Sequence, residues 1–151
     1  MSALSEAYTI NVPDLRELCQ YICKAKLSTS IFLGANERNY TDIFSEEADG
    51  QRPVVIGHLI GTMSTTLDDA SPVYKPRQLR PPTIREFLSF AADYPHLQCT
   101  YRIFSLGTIA LNDASHSLVL SVKEGERCIG HSWARSPRNN ENDRYLGIAL
   151  D

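Results

Sequence analysis

The signatures of the common enzyme families are missing from this chain. Its 151 residues hold no Walker-type phosphate loop, no dinucleotide-binding glycine turn, no H-E-x-x-H helix, no G-x-S-x-G elbow and no EF-hand loop. Gly34, Gly57 and Gly61 are too scattered to cradle a phosphate, and no cofactor is expected. Apolar runs are short. The longest, residues 54–60, is interrupted by His58 and falls far below the ~20 residues that span a bilayer. The N-terminal stretch has neither the basic n-region nor the apolar h-region of a secretory leader. A cytoplasmic protein with no membrane partner is the expectation. Cysteine is sparse, at four residues, and the one close pair, Cys19 and Cys23, is spaced by a helical turn rather than as a zinc ribbon. In the cytoplasm such thiols are expected to be reduced and buried. The four histidines (His58, His96, His116 and His131) have no ligand spacing, so no metal site is expected. A net charge of −3 supplies no overall field that would favour nucleic acid.

What is present describes an ordinary folded domain. A hydrophobic fraction of 42% and a charged fraction of 22% fit one domain over 1–151 with one core. The clearest element is 116–133, HSLVLSVKEGERCIGHSW. Leu118, Leu120 and Val122 alternate with Val119 and Ser121, the period of a half-buried strand. Glu124-Gly125 supplies a two-residue turn. With that turn, Val122 faces Arg127, Leu120 faces Ile129, Leu118 faces His131 and His116 faces Trp133. His116 and His131 become diagonal neighbours on one sheet face, roughly 7–8 Å apart.

The rest of the chain alternates between helix and strand signals. Asn11-Val-Pro-Asp reads as a helix start, and Leu15, Leu18, Cys19 and Ile22 follow as an apolar stripe running to Leu27. That start places Cys19 and Cys23 beyond the first helical turn. Residues 28–34 read as a short strand, 41–47 as a short helix, and 54–60 as a buried strand. Thr83-Ile-Arg-Glu86 is a capping box that opens a helix ending at Tyr94-Pro95. Residues 97–106 read as a long strand and 145–150 as a last one. The resulting expectation is an α+β domain with a largely antiparallel C-terminal sheet and two main helices packed on it.

Two segments suggest function. Residues 62–82 form one long loop with four prolines, and the loops at 62–82 and 134–144 offer contact surfaces. The first carries Lys75, Arg77 and Arg80, with Arg85 just beyond, and no acid lies between Asp69 and Glu86. These four are candidate binding residues for phosphate, nucleic acid or an acidic surface. The second feature is the order of a helix bearing Cys19 and Cys23, then His116 opening a strand, then His131 on the next strand. That order resembles papain-like amidases, including the NlpC/P60 group. The resemblance implies a cysteine hydrolase with Cys19 as nucleophile, His116 as base and His131 as the orienting residue. The leading expectation is nevertheless a non-enzymatic module that binds a protein partner, of the inhibitor, immunity or adaptor kind found in microbes and mobile elements. The amidase is the first alternative, and phosphate contact through 75–85 the second.

Overall fold

The computed structural model describes residues 5–15, 18–29, 50–58, 74–105, 116–133 and 141–150. The 116–133 hairpin forms in the register expected from its turn. β6 (His116–Lys123) and β7 (Glu126–Trp133) pair antiparallel, with Lys123 opposite Glu126 and Leu118 opposite His131. Glu124 and Gly125 both adopt positive φ, 53° and 80°, the conformation whose twist matches a two-residue hairpin. The half-buried expectation is corrected in one respect. Val119 and Ser121, on the second face, are buried along with Leu118 and Leu120.

Around this hairpin the sheet curls in the order β1-β3-β8-β5-β6-β7-β2. Here β1 is Ser5–Val12, β2 Ser28–Thr29, β3 Gly50–His58, β5 Arg102–Ser105 and β8 Asp143–Ala149. A short β4, Leu79–Arg80, pairs with the end of β8. The architecture is mixed α and β. The pairings of β1 with β3, β3 with β8, and β5 with β6 are antiparallel, whereas β5 with β8 and β7 with β2 are parallel. The last strand is therefore central, seated between β3 and β5.

Among the described residues three α-helices accompany the sheet: α1 (Leu18–Ala25), α2 (Ile84–Asp93) and α3 (Leu97–Thr100). α2 begins with the capping box. The Thr83 side chain accepts from the Glu86 N–H, and the Glu86 carboxylate accepts from the Thr83 N–H. It is buried along nearly its whole length, with Ile84, Phe87, Leu88 and Phe90 fully enclosed. The main core lies between this helix layer and one sheet face, where Ile10, Val54, Ile56, Leu120, Leu146 and Ile148 meet it. A smaller cluster of Tyr74, Leu79, Phe104, Val119 and Tyr145 fills the opposite face.

Three readings are corrected. Asn11-Val12 ends a strand rather than opening a helix, because the alternation of Tyr8, Ile10 and Val12 against Ala7, Thr9 and Asn11 suits β1. Residues 97–106 do not form one strand. Leu97 and Gln98 are buried side by side on α3, where Gln98 Nε2 donates to the carbonyls of Ser121 and Cys128. The three cysteines whose side chains are described are also less buried than expected. Cys23 and Cys99 are exposed, and Cys128 is half-buried with its Sγ 3.5 Å from Ser121 Oγ. The strand expected at 28–34 is described only at its first two residues, and the short helix at 41–47 lies outside the described residues.

Two arginines, one half-buried and one buried, join the layers. Arg127 of β7 donates to the carbonyls of Ala25 and Ala91 near the ends of α1 and α2, and to Gln98 Oε1. Its cation therefore faces the negative ends of two helix dipoles. Arg85, only 3% exposed, donates to Tyr21 Oη and to the Pro13 carbonyl.

Candidate functional site

The four basic residues expected to form one patch have different environments. Lys75 and Arg77 are exposed on a 3-10 turn, and the Arg77 guanidinium lies over the Tyr145 ring at 5.8 Å. Arg80 grips Glu86 with two hydrogen bonds of 2.9 and 2.7 Å. Arg85 is buried against Tyr21. The structure thus gathers Lys75 and Arg77 on the surface and turns Arg80 and Arg85 toward internal partners.

Of Cys19, His116 and His131, the backbone is described and the side chains lie outside the described set. His116 and His131 take the diagonal positions expected of them, because Leu118 pairs with His131 and His116 with Trp133. Cys19 shifts relative to expectation. Pro13–Leu15 are not helical and Leu18 is, so Cys19 stands in the first turn of α1, not beyond it. Among the described residues, no three His, Cys, Asp or Glu side chains gather as metal ligands. No helix among them is long and apolar enough to cross a membrane.

A different set of residues converges at one end of the main sheet face. Glu6 and Tyr8 of β1, Tyr94 at the end of α2, Tyr101 before β5 and Arg144 of β8 are brought there by the strand order. Tyr8 lies 4.8 Å from Tyr94 and 6.3 Å, edge-on, from Phe90, measured between ring centroids. Tyr101 is close enough to act electrostatically on Tyr8, and the Arg144 guanidinium sits 4.3 Å from the Tyr101 ring centre. Tyr8, Tyr94 and Tyr101 are each half-buried, with the inner part of each ring packed on the core.

Hydrogen bonds hold two of these rings in place. The Tyr8 hydroxyl donates to Glu6, and Tyr94 Oη donates to the Thr9 carbonyl at 2.7 Å. Burial, reinforced by the bond to Glu6 and its charge, pushes the Tyr8 pKa up to about 12, so this phenol remains a proton donor across the physiological range. The arrangement offers aromatic surface, one exposed carboxylate and one cation. Such a surface suits recognition of a macromolecule, since tyrosine contributes contact area at small entropic cost.

Comparison with protein-family models, with curated proteins and with solved structures finds no match. The tyrosine cluster was not anticipated from sequence. Tyr8 and Tyr94 are 86 positions apart, and topology alone joins them. The available signal was compositional, seven tyrosines against one tryptophan in a chain of this length.

Proposed function

We propose that this chain is a single α+β domain of the cytoplasm that works as a non-enzymatic protein-binding module. The observation that supports this reading best is the cluster of Tyr8, Tyr94 and Tyr101. Half-buried tyrosines are the residues from which interface hot spots are commonly built, and here hydrogen bonds lock the hydroxyls of Tyr8 and Tyr94. The flanking Glu6 and Arg144 favour a protein surface with paired charges over a nucleic-acid backbone, which would call for cations alone. The test is site-specific photo-crosslinking in cells, with a photoreactive residue replacing Glu6 in one variant and Lys123 at the distant hairpin tip in another. A discrete adduct with one protein from position 6, absent from position 123, is expected. With that partner purified, Tyr101→Ala should weaken binding roughly 30-fold, about 2 kcal/mol, while the melting curve stays cooperative. Equal adducts from both positions, or unchanged affinity for Tyr101→Ala, would refute the reading.

The cysteine hydrolase remains as a second reading because of one observation. A cysteine in the first turn of a helix is where the dipole lowers a thiol pKa, and Cys19 stands there with His116 and His131 on neighbouring strands. Under this reading a thiol-reactive probe labels Cys19 much faster than exposed Cys23 and Cys99, and His116→Ala abolishes the difference. Labelling that simply follows exposure would rule it out.

A further inference from the structure

β1 ends the sheet, and among the described strands it pairs only with β3. Its outer edge is a row of backbone donors and acceptors, a natural template for another strand. Antiparallel pairing turns alternate residues outward. Thr9 lies opposite Pro53, which has no N–H to contribute, so the backbone groups of Thr9 face away from β3. The same alternation turns Ala7 and Asn11 outward.

Two of these three positions are engaged by the end of α2. Tyr94 Oη donates to the Thr9 carbonyl at 2.7 Å and accepts from the Thr9 N–H at 3.4 Å, and Asp93 Oδ2 accepts from the Asn11 N–H at 2.8 Å. Two side chains thereby occupy the bonds that an added strand would make. We propose that the outer edge of β1 is a strand-addition site for the β1 of a second copy, held shut by Asp93 and Tyr94. The strand is self-complementary about a two-fold axis through Thr9. Antiparallel addition sets Tyr8 against Ile10 and Glu6 against Val12, and it places no like charges opposite one another because Glu6 is the strand's single charge. This inference concerns backbone bonding and does not depend on the tyrosine surface serving a partner.

The test is the oligomeric state by sedimentation velocity, with circular dichroism to establish folding. The wild type is expected as a single chain. Asp93→Ala with Tyr94→Phe keeps the ring and removes both edge contacts, and it is expected to double the mass. Adding Thr9→Pro removes the outward N–H without touching a bond to β3, and should restore the single chain. Tyr94→Phe alone, the mildest change, should give a weaker, concentration-dependent dimer, and it carries the test if the double variant fails to fold. A folded Asp93→Ala/Tyr94→Phe variant that stays a single chain would overturn the proposal. So would a dimer indifferent to Thr9→Pro, or a wild-type dimer that Thr9→Pro dissociates. If the double variant does not fold, a Tyr94→Phe protein that remains a single chain at every concentration would overturn it equally.

Discussion

Replacing Glu86 with alanine is expected to destabilise the fold by about 2–4 kcal/mol, the loss of a buried helix-capping carboxylate together with its charge-assisted hydrogen bonds to two partly exposed arginines. The Glu86 side chain is fully buried. One of its oxygens accepts from Arg80 and from the Thr83 N–H. The other accepts from Arg80 at 2.7 Å and lies 3.0 Å from Arg52 Nε. A single carboxylate therefore caps α2, fixes the end of β4 and ties β3 to the helix. Urea denaturation of Glu86→Ala against wild type measures the loss, and a change below about 1 kcal/mol would mean that water replaces the carboxylate easily. The effect has a definite pH signature. Burial raises the Glu86 pKa, but the hydrogen bonds from Arg80 and Thr83 and the charges of Arg80 and Arg52 outweigh it and hold the carboxyl below its ordinary value. The unfolded chain then binds more protons than the native one in mildly acidic solution. Stability from this group is complete at neutral pH, above the unfolded carboxylate range. It is lost as pH falls through that range toward the depressed native value. Glu86→Gln should be less stable than wild type at neutral pH, with the gap narrowing in acid.

Glu86 also marks how far the sequence could be read. The capping box at Thr83 and the turn at Glu124-Gly125 were legible because each is a local device whose partners lie within a few residues. The hairpin register followed from turn length, down to the placement of His116 and His131. Arg80 and Arg85 were another matter. A run of cations with no acid between Asp69 and Glu86 reads as an exposed patch, yet Arg80 finds its partner at the acid that ends the run, and Arg85 finds Tyr21, 64 positions away. Local signals also competed. The period-2 pattern of β1 was present, but Asn11-Val-Pro-Asp carries a strong helix-start pattern and obscured it. In 97–106, Leu97, Cys99, Tyr101 and Ile103 alternate as a strand would, whereas Gln98 seeks the carbonyls of the hairpin and holds 97–100 as a helical turn. The tyrosine surface depended on those two misread segments together, since Tyr8 lies in the first and Tyr101 in the second.

Gly57→Ala is expected to be as damaging as the loss of Glu86, at about 3 kcal/mol, through overpacking. Gly57 of β3 lies directly opposite Tyr145 of β8, and the Tyr145 ring lies across the space where a side chain would begin. A Cβ at Gly57 would fall under 3.0 Å from the hydroxyl and from two ring carbons. The ring cannot easily yield. It is 1% exposed and meets Tyr74 edge-on at 5.8 Å, while Arg77 covers it. Tyr74 is itself anchored by a 2.7 Å bond to the Leu146 carbonyl, and Gly147 leaves space for Tyr74 and Leu79 as Gly57 does for Tyr145. Glycines that look scattered along the chain are thus seats for aromatic rings on the second sheet face, and this packing seats β8 between β3 and β5. A double-mutant cycle isolates the contact. In a Tyr145→Ala background the Gly57→Ala change should cost less than about 1 kcal/mol, giving a coupling near 2 kcal/mol. Equal cost in both backgrounds would locate the strain in the strand backbone and remove the ring from the explanation. Because Arg144 precedes Tyr145 and packs on Tyr101, displacement of the ring should also disturb the tyrosine surface on the opposite face. Gly57→Ala should therefore weaken binding of the crosslinked partner even at temperatures where the variant remains folded.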